Sequence, residues 1–128
     1  MMKSLKLLTT LVIAAAGPFS VSADDAVRYN RDVLPLLADH CFSCHGFDSA
    51  KREAGLRLDQ RVGSTEKLES GARAIVPGDL KNSELWTRVT SRDPDIRMPP
   101  PETGHTLTSD QCEMLRRWIA QGAEYEQH

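Results

Sequence analysis

Cys41-Phe42-Ser43-Cys44-His45 constrains this chain more than any other stretch. Two cysteines three positions apart, with a histidine directly after the second, form the C-x-x-C-H pattern of covalent haem attachment. The spacing has a chemical reason. One helical turn brings both thiols to the two vinyl groups on one edge of a porphyrin. The next residue, His45, then falls beneath the iron as a neutral imidazole ligand. The expected cofactor is one covalent haem c, a large apolar disc around which a small chain can build its core.

Three other chemistries use similar residues. Structural zinc needs four ligands, usually from a second Cys or His pair, and the only further cysteine is Cys112. A thioredoxin-like C-x-x-C follows a strand in a βαβ pattern, which is not visible here. A plain disulfide in an exported protein leaves His45 without a reason.

The first 23 residues read as a cleaved secretory signal. Lys3 and Lys6 form a positive start, Leu7 to Ala16 is a short apolar run, and Val21-Ser22-Ala23 supplies small residues before a cut. The run is about ten residues, too short to cross a bilayer as a helix. Residues 24–128 are then one domain without a transmembrane segment, in the periplasm or otherwise outside the cytoplasmic membrane. A core of that size gains from the buried apolar area of a haem. The net charge is −2, and loss of the two lysines takes it to −4. There is no basic stripe of the kind that binds nucleic acid, and the charge is too mild to name a redox partner. No internal repeat or low-complexity tract is visible.

Val33, Leu34, Leu36 and Leu37 form an apolar cluster ahead of the motif. Asp32 is the expected N-cap of a short helix, which places Pro35 harmlessly in the first turn; Asn30 is the other candidate. His40 is expected on the surface, and Gly46 is expected to end the attachment turn as a C-cap. Gly55-Leu56-Arg57-Leu58-Asp59 alternates with period two, and Ala74-Ile75-Val76 is a matching run. These two could pair as a small two-stranded sheet, with a helical turn near Ser64 to Leu68 between them. Asp79 is positioned to cap a helix from Leu80 to Val89, and Thr90 to Arg97 reads as a loop.

Arg97-Met98-Pro99-Pro100-Pro101 is the second stretch with chemistry. A methionine sulfur opposite the histidine is a soft ligand that favours Fe(II) and raises the potential. Met98 lies 53 residues beyond His45, enough to pass around a haem edge, and the prolines favour an extended, stiff loop. Met114, His105 and His128 compete for the same role, and an apolar plug is the plain alternative for Met98. Arg57, Arg73 and Arg97 are candidates to pair with haem propionates.

Thr108-Ser109-Asp110-Gln111 fits a capping box, with Leu107 and Cys112 as a hydrophobic staple. Cys112, Leu115, Trp118 and Ile119 follow a helical stripe that Gly122 ends. Cys112, the odd cysteine, is a reactive or intermolecular thiol in one reading and a quietly buried one in the other. Trp118 is expected in the core.

The chain from about Tyr29 to Tyr125 resembles the planctomycete-type cytochrome c domain. The resemblance rests on Asp32-Val33-Leu34-Pro35-Leu36-Leu37, Cys41-Phe42-Ser43-Cys44-His45-Gly46, Gly55-Leu56-Arg57-Leu58-Asp59 and Ile75-Val76-Pro77-Gly78-Asp79. It continues through Ser83-Glu84-Leu85, Arg97-Met98-Pro99-Pro100 and Arg117-Trp118-Ile119-Ala120-Gln121-Gly122-Ala123. The resemblance implies a mainly α, cytochrome c-like fold, with N- and C-terminal helices packed around the haem. It also implies thioether links at Cys41 and Cys44 and axial ligands at His45 and Met98. Cys112 departs from the family pattern, which more often has an aliphatic residue there. The function implied is one-electron transfer to redox partner proteins, not catalysis. Two alternatives stay open: a haem module of a larger exported enzyme or complex, and a haem enzyme or sensor with a labile sixth ligand.

Overall fold

A computed structural model gives the fold and describes residues 11–18, 22 and 25–127. Most of the expected signal segment, residues 1–23, lies outside the described residues; Leu11, Val12 and Ile13 are exposed. Among the described residues no helix is long and apolar enough to cross a membrane.

The architecture is mainly helical. A wide π-helical turn, Tyr29–Val33, runs directly into α1, Leu34–His40. Then come α2, Arg61–Thr65, α3, Glu84–Val89, a 3₁₀ turn at Pro101–Thr103, and α4, Ser109–Ala120. Tyr29, Val33, Leu36 and Leu37 are buried, a spacing that puts them along one face. Asp32 does not cap the helix from outside it. It sits within the first turn and reaches back, accepting the Arg28 N–H at 2.8 Å. The helix therefore starts one turn earlier than its N-cap residue type suggests, and neither Asp32 nor Asn30 is its N-cap. Pro35 still falls in the first turn of α1.

The first and last elements are tied together. The Gln121 side-chain amide brackets Val27, accepting its N–H at 3.1 Å and donating to its carbonyl at 3.4 Å. Arg28 grips the Glu126 carboxylate with two nitrogens. Behind them the Tyr29, Trp118 and Tyr125 rings pack at 4.5 to 5.7 Å between centroids. Trp118 is buried as expected, its indole N–H donating to the Glu124 carbonyl at 3.0 Å. Leu115 and Ile119 complete the inner face of α4, and Leu85 and Val89 of α3 join the same core.

The expected two-stranded sheet is not formed; the described residues show only isolated bridges, Lys67 with Arg73 and Arg73 with Ser83. Ala54 and Gly55 both adopt left-handed backbone, which turns the chain where a strand would have to begin. The following N–H groups go elsewhere: Leu58 donates to the His45 carbonyl at 2.8 Å and Ile75 to that of Ser64 at 2.9 Å. The helical turn between the two runs is centred earlier than expected, on Arg61–Thr65. Asp79 does cap a turn, accepting the Asn82 N–H at 3.2 Å. Helix α3 nevertheless starts at Glu84 and not Leu80, because Ser83 is extended and the Glu84 and Leu85 N–H groups donate to the Arg73 and Ala74 carbonyls at 3.0 and 2.9 Å. Buried Ser83 then fastens this turn, its hydroxyl donating to the Asp79 carbonyl at 2.7 Å and accepting the Val76 N–H at 2.9 Å.

The start of α4 is as read. Gln111 N–H donates to Thr108 Oγ1 at 3.2 Å and Thr108 N–H to Gln111 Oε1 at 2.8 Å, a complete capping box. At the other end Gly122 takes a φ of 111°, a left-handed geometry that ends the helix.

Candidate haem-attachment site

The motif sits where α1 unwinds. Cys41 and Phe42 both donate to the Leu37 carbonyl, at 2.8 and 3.0 Å, and Cys44 and His45 both donate to that of Cys41, at 3.2 and 2.8 Å. One tight turn thus carries both cysteines and the histidine. Gly46 serves this turn by its size and not as a left-handed C-cap: a Cβ there would stand 2.4 Å from the Phe42 carbonyl oxygen.

Cys41 is buried, Cys44 exposed, and both thiols are free. Burial, reinforced by the neighbouring Cys44, pushes the Cys41 thiol up to about 12, so it stays protonated at neutral pH. His45 is half-buried, and its Nδ1 lies 3.2 Å from the carbonyl oxygen of Glu53. A carbonyl only accepts, so Nδ1 carries the ring proton and Nε2 keeps its lone pair. Burial holds the imidazole below its usual range, against the pull of the Glu53 carbonyl; the positive charge of Arg88 lowers it further. Glu53 N–H donates back to the Cys44 carbonyl at 2.7 Å, so residues 53–58 wrap the motif. Nothing local in the sequence marks Glu53 for this role; it is found only in three dimensions.

Met98 is half-buried at the end of a loop pinned to α3. Its N–H donates to the Arg88 carbonyl at 3.1 Å, and Arg88 also pairs with Glu84 at 3.0 Å. The Met98–Pro99 peptide is cis. Pro100 is extended, but Pro101 opens a 3₁₀ turn, so the proline run is not one extended rod. Met98 lines a cavity of about 190 Å³ with Val89, Arg97, His105 and Leu107. Cys41, Cys44 and His45 are not among the residues lining that cavity. The link between the two stretches is Arg88, which holds Met98 through its carbonyl and reaches His45 with its charge.

Two expectations about side chains change. His40 is half-buried, not a free surface group: its ring stands edge-on to His105 at 5.7 Å and its Nδ1 is buried without a partner. Arg57 is engaged by Asp59 through two contacts of 3.0 and 2.6 Å, and Arg73 donates to the Thr65 carbonyl at 2.7 Å. Arg97 of the three arginines lines the Met98 cavity. Cys112 is half-buried with its sulfur 4.0 Å from the Val89 carbonyl, and burial raises its thiol.

These donors fit a haem. Two free thiols occupy one turn, the Glu53 contact leaves the other nitrogen of the neighbouring imidazole unprotonated, and a thioether lines a cavity elsewhere. Residues 41–102 match the family model described as planctomycete cytochrome C. The match includes both the motif and Met98; the π-turn, α1 and α4 lie outside it. No curated protein and no solved structure matches the chain significantly.

Proposed function

We propose that this chain, which carries a planctomycete-type cytochrome c domain, is an exported one-electron carrier built on a single haem c. Cys41 and Cys44 would hold the haem through thioethers, with His45 and Met98 as axial ligands. The bound haem supplies the reversible Fe(III)/Fe(II) couple.

The protein's own groups do the rest. The Glu53 carbonyl fixes the His45 tautomer and orients the ring, as a second partner does for most ligating histidines. The Arg88 carbonyl anchors the backbone of Met98, which would restrain its sulfur if it held the iron. A thioether is soft and favours the reduced state. Were His45 and Met98 both to hold the haem iron, small oxidants would have no direct access to it, which would separate a carrier from a haem enzyme. The partners are redox proteins that donate or accept one electron. Export is part of the reading: the thiols must stay reduced until attachment, and residues 1–23 carry the pattern of a secretory signal.

The observation that carries this proposal is the His45–Glu53 contact within a two-thiol turn. Oxidised haem-loaded protein should bind cyanide far more slowly than an open haem and should titrate as a single one-electron couple. Cyanide or peroxide binding at the rate of an open haem would replace the carrier reading with an enzyme or sensor.

A further inference from the structure

We propose that Tyr125, which follows α4, is a positioning residue for His45, acting through Leu58; its consequence for the haem rests on the reading above. The relay is two hydrogen bonds passing through one residue. The Tyr125 hydroxyl donates to the Leu58 carbonyl at 2.8 Å, and the Leu58 N–H donates to the His45 carbonyl at 2.8 Å. Leu58 is only 1% exposed, so solvent is not at hand to replace either partner. The His45 N–H donates to the Cys41 carbonyl and its Nδ1 faces the Glu53 carbonyl, so the residue is held at backbone and ring alike.

Tyr125 is itself held in place. Its ring packs against those of Tyr29 and Trp118, at 4.5 and 5.2 Å between centroids. Both its neighbours are tied down: the Glu124 carbonyl accepts the Trp118 indole N–H at 3.0 Å, and Arg28 grips the Glu126 carboxylate. Burial raises the phenol above its ordinary range, so the hydroxyl keeps its proton and donates at neutral pH. A second placement sets Tyr125 beside the motif independently of the relay. It lines a cavity of about 300 Å³ together with Phe42, the residue after Cys41.

The relay fixes where residues 53–58 sit against the motif. That segment meets the His45 Nδ1–H with the Glu53 carbonyl, and such an acceptor makes the opposite ring nitrogen a stronger base. A more basic imidazole favours Fe(III), so a firmly held ring keeps the potential lower than a loose one. Tyr125 thereby ties the redox poise of the site to the packing of the segment after α4.

Tyr125→Phe removes the hydroxyl and keeps the ring; Ser83→Ala, which loosens a different turn, is the control. Amide hydrogen exchange is read on the purified full chain, and the midpoint potential on its haem-loaded form. In Tyr125→Phe the Leu58 and Glu53 amides should exchange about tenfold faster relative to the α4 amides than in wild type, the size expected for one lost hydrogen bond. Its potential should rise, and Ser83→Ala should show neither change. Equal acceleration of all these amides, or an unchanged potential, reduces Tyr125 to a packing role and overturns the proposal. A chain that carries no haem sinks the haem reading instead, and the exchange at Leu58 still decides whether the hydroxyl holds His45.

Discussion

His45 Nδ1 and the Glu53 carbonyl oxygen face each other at 3.2 Å, and the Glu53 N–H returns a bond to the Cys44 carbonyl at 2.7 Å. The two contacts use the backbone of Glu53, not its exposed carboxylate. Glu53→Gln should therefore leave stability within about 0.5 kcal/mol. Glu53→Pro removes the donated bond and should cost about 1 kcal/mol. Equilibrium unfolding of both variants checks the pair; equal losses would assign the role to the carboxylate.

Gly46 tests how tightly the attachment turn is closed. The added methyl of Gly46→Ala would meet the backbone oxygen of Phe42 at 2.4 Å, and backbone cannot swing aside. The expected loss is about 1–3 kcal/mol by denaturant unfolding. Gly46→Ala with unchanged stability would mean that the turn is looser than described.

How much of this is legible in the sequence depends on how far apart the partners lie. The α4 cap is readable because Thr108 and Gln111 are three residues apart and bond reciprocally. The attachment turn is readable for the same reason. The start of the first helix is misread because Asp32 looks like a cap yet works from inside the turn on Arg28. The strand reading of residues 55–59 fails on long-range chemistry: the Leu58 N–H is claimed by His45, and Ala54 and Gly55 turn left-handed. The facing of His40 and His105 joins residues 65 positions apart, and no periodicity announces it.

Ser83 is a buried hydroxyl with two backbone partners. In Ser83→Ala the Val76 N–H loses its acceptor and the Asp79 carbonyl its donor. The expected cost is about 1–3 kcal/mol. Chemical denaturation should show it as a lower midpoint with an unchanged slope; a midpoint equal to wild type would mean that water or a neighbour replaces the hydroxyl.

The aromatic cluster predicts behaviour at high pH. Burial pushes the Tyr29 phenol up to about 12, and burial also raises Tyr125. The folded state therefore keeps these protons longer than the unfolded chain, whose tyrosines ionise near 10. The stabilisation is complete below pH 10 and is lost as pH rises from 10 toward 12. Ultraviolet titration should show no phenolate near pH 10 while the fold persists, then its appearance together with unfolding. Two tyrosines ionising near 10 in folded protein would place them in solvent.

Covalent attachment is the central claim, and it is measured by making the chain in a host with haem-attachment machinery and extracting the purified protein with acid. The account predicts that haem stays on the protein, one per chain, and that Cys41→Ala combined with Cys44→Ala yields none. A wild-type protein that is colourless and already compact without iron would contradict it.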